Sequence, residues 1–243
     1  PTIATTLLMG KSYYEDELNS EKGALTSTLD TQRNYTVAMN GTSAATPMVS
    51  GAIALVLQAC PQLTYRDVKW LIAHSATKVD EDNAEWRQNG AGLWHNINYG
   101  YGKINTKKMI DMCRSRYFEL LKEEKSISYE KVVNTPIPDN NTSIYVDINV
   151  DEDLTIEWIG LHIKSDHLYS GDLFVELISP HHTATKIITP NEIRFDAYSE
   201  GFRFSSQAFI GEKSKGRWRV VVRDEYEKDT GVLQEIRLEI YGH

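Results

Sequence analysis

Met39 to Ala59 reads MNGTSAATPMVSGAIALVLQA, a serine set among small residues at the opening of an apolar stretch. The first N–H groups of a helix have no partner inside the helix, and the helix dipole favours negative charge in front of them. A carbonyl oxygen that becomes an oxyanion beside the Ser43 hydroxyl would meet those donors. Gly41, Thr42, Ala44 and Ala45 are small enough to let such a carbonyl approach. The pattern suits acyl transfer, with Ser43 as nucleophile and its own N–H as one oxyanion donor. The plainer role is a serine N-cap, the commoner fate of a serine before a helix.

A serine hydroxyl needs a base, and the 42 residues before Ser43 contain no histidine. All seven histidines, His74, His95, His162, His167, His181, His182 and His243, follow it. Asp30, thirteen residues upstream in TSTLDTQ, reads as a solvated loop carboxylate.

The elements around Ser43 are helical. After the serine, AATPMVSGAIALVLQA is apolar or small nearly all round, the pattern of a helix covered on every side, with Pro47 in its first turn. In LTYRDVKWLIAHSA, Thr64 and Asp67 form a partial capping box ahead of a Val68, Leu71, Ile72 stripe. NINYGYGKIN reads as a glycine-punctuated strand or turn, and TKKMIDMCRSRYFELLKEEK as a surface helix leading out of the domain.

From about Ser126 the period falls to two. LTIEWIGLHIKS, GDLFVELIS, GRWRVVVRD and LQEIRLEIYG are strand-like, and in the last Ile236, Leu238 and Ile240 alternate with Glu235, Arg237 and Glu239. Such strands without helices predict an all-β sandwich or jelly roll. The expected organisation is a helical first part over 1–115, a linker over 116–125 and a sandwich over 126–243.

Composition narrows the classes. The net charge is −8, and the whole acidic excess lies after residue 115, which argues against a nucleic-acid partner. No apolar run reaches the roughly 20 residues of a membrane span, and PTIATTLLMG lacks the form of a signal peptide. Cys60 and Cys113 have no framework or metal-ligand spacing and read as buried or free thiols. The acidic runs DEDL and RDEYEKD have calcium-ligand chemistry but read first as solvated turns.

As a string, NGTSAATPMVSG closely resembles the nucleophile motif of the subtilisin-like serine proteases. The resemblance continues through CPQLTYRDVKWLIAHSATKV and NYGYGKIN, similar to the end of that α/β catalytic domain. YSGDLFVELISPHHTATKII and GEKSKGRWRVVVRDEYEKDTGVLQEIRLEIYG are similar to the P domain of kexin and furin-like proprotein convertases. AMNGTSAATP is closer to a general subtilisin than to the HTGTS form of animal convertases.

The resemblance implies an endopeptidase that forms an acyl-enzyme on Ser43, with Gly51 letting the helix pack closely. Basic residues before the cleaved bond and calcium as cofactor are expected. Substrates would be proteins or peptides in a secreted or extracytoplasmic setting. The family's triad order, Asp, His, Ser, puts the triad Asp and His, the oxyanion side-chain amide and most calcium ligands in an upstream part of the peptidase domain, a partner this chain needs. The competing reading is a non-catalytic binding or scaffold module, a sandwich carrying a vestigial protease remnant.

Overall fold

A computed structural model of the protein describes residues 3–6, 35–39, 41–190 and 195–243. The chain forms two compact units, 1–61 and 62–243. Asp30 lies outside the described residues.

In the first unit, strand β1 (Ile3–Thr6) pairs antiparallel with β2 (Tyr35–Met39), and helix α1 (Thr42–Ala59) follows. Gly41 caps α1 with φ 85°, a left-handed conformation that glycine adopts at little cost, and no side chain caps the helix. Ser43 is therefore the second helical residue and not the N-cap. The early start moves Pro47 out of the first turn. Residue 47 would donate its N–H to the Ser43 carbonyl, and proline has none to give.

The described residues do not cover α1 on every side. Ala44 and Val56 are buried, whereas Met48, Leu55 and Leu57 are exposed, and no described atom lies within 4 Å of a Cβ built on Gly51. By length and composition alone α1 could also cross a membrane.

The second unit opens with helix α2 (Tyr65–Ser75). Its capping box is complete: Asp67 N–H donates to the Thr64 hydroxyl, and Asp67 Oδ2 accepts from Thr64 N–H at 2.8 Å. Of the predicted stripe, Val68 and Leu71 are buried and Ile72 is half-buried. Thr64→Ala removes one half of the box. It is expected to cost about 1 kcal/mol, read as a lower denaturant midpoint at unchanged slope.

The loop after α2 carries a short hairpin, β3 (Arg87–Gln88) with β4 (Trp94–His95), and a turn closed by bridges Asn96–Gly100 and Thr77–Lys103. Helix α3 (Thr106–Cys113), capped by the Asn105 side chain, is shorter than the sequence predicts. Residues beyond it leave the helix because α2 holds them. Leu121 N–H donates to Asp67 Oδ1 at 2.8 Å and the Lys122 carbonyl accepts from Arg66 at 2.8 Å. Cys60 and Cys113 are not thiols: both are disulfide-bonded.

The sandwich consists of two antiparallel four-stranded sheets. One holds β5 (Lys125–Ile137), β7 (Ile156–Ser165), β10 (Phe202–Ser206) and β12 (Gly231–Gly242), in the order β10-β7-β12-β5. The other holds β6 (Ile144–Val150), β8 (Leu173–Ile178), β9 (Ala184–Ile188) and β11 (Gly216–Asp224), in the order β6-β11-β8-β9. Ile236, Leu238 and Ile240 are fully buried, as their alternation predicts, and pack with Ile159, Leu161, Val220 and Trp218 in one core. Trp218 Nε1 donates to the Ser214 carbonyl at 2.8 Å, so burying its ring leaves no polar group unpaired.

Candidate active site

At the entrance of α1, Ala44 and Ala45 N–H both turn back to the Gly41 carbonyl, at 3.1 and 3.2 Å. The N–H groups of Thr42 and Ser43 precede the first intrahelical bond, and Ser43 and its small neighbours Gly41, Thr42 and Ala45 are exposed. A hydroxyl at the positive end of a helix, beside N–H groups that have no acceptor among the described residues, is an arrangement that can attack a carbonyl and receive the resulting oxyanion. No histidine occurs in the unit that contains Ser43.

Three histidines of the second unit, His167, His74 and His95, have structural partners. His167 is completely buried, with Nδ1 3.0 Å from the Tyr169 carbonyl and Nε2 3.0 Å from Asp224 Oδ2. His74 places Nδ1 2.8 Å from the Trp70 carbonyl and stacks on the Trp70 ring at 4.3 Å. His95 meets Tyr101 edge-on at 5.2 Å. Burial pushes the pKa of both His74 and His95 down, which keeps them neutral.

The strongest electrostatics of this unit join α2 to the sandwich. Arg66 grips Glu157 bidentately, with Nε to Oε2 at 2.8 Å and an Nη2 hydrogen bond to Oε1, and His243 Nδ1 lies 3.0 Å from the same Oε1. Burial raises the Glu157 pKa, but Arg66 and His243 outweigh it and hold the carboxyl below its usual range. Asp67 behaves alike: burial raises its pKa, and hydrogen bonds from Leu121 and Thr64 bring it down. A second tie runs through Asn89, whose Nδ2 donates to the Ala208 and Ile210 carbonyls at 3.0 Å. In a third, Gly90 N–H donates to Glu212 Oε1 at 2.9 Å. Sequence reasoning missed Arg66, Asn89, Glu157 and Glu212, because no local pattern shows which polar residues meet across distant segments.

The pKa directions give an acid limb. The two carboxylates contribute stability that is fully present above their unfolded values of about 4 and lost as pH falls through their lower folded values. The half-buried His74 and His95 begin the loss earlier, below about pH 6.5, where the unfolded chain takes up protons that the folded one refuses. Thermal melts between pH 7 and 3 should show Tm falling in both ranges. Glu157→Gln should flatten the lower one.

Among the described residues no group of three or more His, Cys, Asp or Glu side chains could hold a metal ion. In DEDL, Asp151, Glu152 and Asp153 are exposed, with Glu152 bonded to the Tyr129 hydroxyl. In RDEYEKD, Asp224 is bound to His167 and Glu225 to Arg223.

An exposed helix-entry serine in one unit and an antiparallel two-sheet sandwich in the other define the class: the closing part of a subtilisin-like domain running into a β-sandwich. Residues 8–102 match the family model described as Subtilase family, and residues 156–240 that described as Proprotein convertase P-domain. The chain belongs to the subtilases, in the kexin and furin-like proprotein convertase branch.

An extracellular serine protease of Aeromonas sobria is 30% identical over 236 residues, covering 82% of this chain and 38% of that protein. Proprotein convertase subtilisin/kexin type 7 of Homo sapiens is 31% identical over 223 residues, covering 83% and 27%. The crystal structure of the Aeromonas sobria serine protease superposes with a TM-score of 0.84 at 26% identity, covering 100% of this chain and 51% of that one. The chain thus spans between about a quarter and two fifths of the length of these curated relatives.

Proposed function

We propose that this chain supplies the nucleophile and the P domain of a serine endopeptidase in which Ser43 attacks the scissile carbonyl. An upstream histidine is its base and an upstream aspartate orients that histidine. The observation that carries this reading is Ser43 in NGTSAATP, exposed at the second position of a helix whose first N–H groups have no acceptor among the described residues. The uncovered Met48, Leu55 and Leu57 support it, since a subtilase helix of this composition needs further peptidase-domain residues around it. On this reading α1 is a core helix rather than a membrane span.

Residues 1–115 belong to the peptidase domain, 116–125 to a linker and 126–243 to the P domain. Substrates are proteins or peptides with basic residues before the cleaved bond. Calcium is the cofactor, held largely by upstream residues. The setting is extracytoplasmic; the disulfide-bonded cysteines support it, because such bonds persist in oxidising compartments. Labelling the full-length protein with a fluorophosphonate tests the assignment. Label that disappears in Ser43→Ala supports it, and an unlabelled, folded wild type favours the non-catalytic scaffold.

A further inference from the structure

The turn between β5 and β6 carries two overlapping Asn-X-Ser/Thr tripeptides, Asn140-Asn141-Thr142 and Asn141-Thr142-Ser143. This is the acceptor pattern for N-linked glycan transfer, provided the asparagine sits on an accessible loop. Asn140, Asn141 and Thr142 are all exposed. We propose that Asn140 is an N-glycosylation site. The proposal rests on the extracytoplasmic reading above.

The geometry selects Asn140 over its neighbour. Asn140 Oδ1 accepts the N–H of Thr142 at 3.1 Å, a side-chain turn that folds the tripeptide back on itself and leaves Nδ2 without a partner among the described residues. Asn141 adopts φ 60°, a left-handed conformation that asparagine tolerates and that tightens the same turn. Thr142, the hydroxyl residue of the first tripeptide, is exposed. Ser143, that of the second, is half-buried at the entrance to β6.

In the transfer, Asn140 Nδ2 bonds to the anomeric carbon of a sugar carried on a polyprenyl diphosphate. The carbon–oxygen bond to the diphosphate breaks, the diphosphate leaves with the electron pair, and one amide proton passes to the transferase. The site lies at the far end of β5 from Lys125, about 40 Å along an extended strand. A glycan there leaves free the end where Leu121 and Lys122 bind α2.

The test is to express the full-length protein behind a supplied secretion leader in a eukaryotic host. The tryptic peptide Val132–Lys164 is then mapped by mass spectrometry, with peptide N-glycanase treatment in heavy-oxygen water to mark any formerly glycosylated asparagine as aspartate. The expected result is a glycan on Asn140 that is lost in Thr142→Val and kept in Ser143→Ala. An unmodified peptide in secreted, folded wild type overturns the proposal, as does a glycan that survives Thr142→Val or that Ser143→Ala removes. The supplied leader separates this from the compartment reading. That reading fails if the native protein is recovered only from cytoplasm with Cys60 and Cys113 as thiols.

Discussion

Replacing Arg66 by alanine lowers the stability of the intact protein by about 3 kcal/mol, a fall of roughly 6 to 12 °C in Tm for a unit of this size. The side chains of Arg66 and Glu157 are only 13% and 7% exposed, so the substitution strands a carboxylate away from water. His243 remains beside Glu157 Oε1, which holds the cost at the lower end of what breaking a buried pair entails. Arg66→Ala also frees the Lys122 carbonyl, so loosening spreads to the connection after α3. Glu157→Gln costs less, because an amide oxygen still accepts from Arg66 and the guanidinium keeps Glu124 at 3.8 Å. The double change Arg66→Met with Glu157→Leu recovers most of the loss, since the desolvation cost of both ions disappears with them. Melts of the three variants check the order. An Arg66→Ala variant as stable as wild type would show that the pair does not hold α2 to the sandwich.

What the sequence made legible was what is local or periodic. Thr64 and Asp67 announced the start of α2 because a capping box is complete within four residues. Ile236, Leu238 and Ile240 announced a half-buried strand because the pleat has a period of two. The NGTSAATP string was legible as a family motif for a different reason: its small residues around a serine are contiguous, and they lie within the stretch that matches the subtilase family.

What failed to show depended on distant partners. The segment after Cys113 has helix-forming residues, yet Asp67 and Arg66 capture its backbone and hold it out of a helix. The disulfide bonding of Cys60 and of Cys113 gave no signal, and Glu157 and Glu212 looked like ordinary acidic residues of a charged half. Pro47 was misplaced by a turn because glycine, not serine, caps α1.

The 243-residue chain by itself is expected to hydrolyse no peptide bonds. The Ser43 hydroxyl is a weak nucleophile at neutral pH without a histidine to take its proton, and loss of a triad member costs about 10⁴- to 10⁶-fold in turnover. None of the 42 residues before Ser43 is a histidine. His167, the most buried of the later ones, is committed to the Tyr169 carbonyl and Asp224, and His74 to the Trp70 carbonyl. N–H groups at the entrance of α1 can receive an oxyanion, but they cannot generate the nucleophile that makes one. The exposed apolar side chains of α1 add a second deficit, because the walls that would shape a substrate cleft beside Ser43 are absent from the described residues. The measurement is hydrolysis of casein and of a peptide with paired basic residues, by the chain alone and then with upstream peptidase-domain residues restored. Activity that appears only on restoration, and vanishes in Ser43→Ala, is the expected result. Ser43-dependent turnover by the chain alone would mean that one of the seven later histidines is the base, with His74 and His95, neutral through burial, the first to substitute.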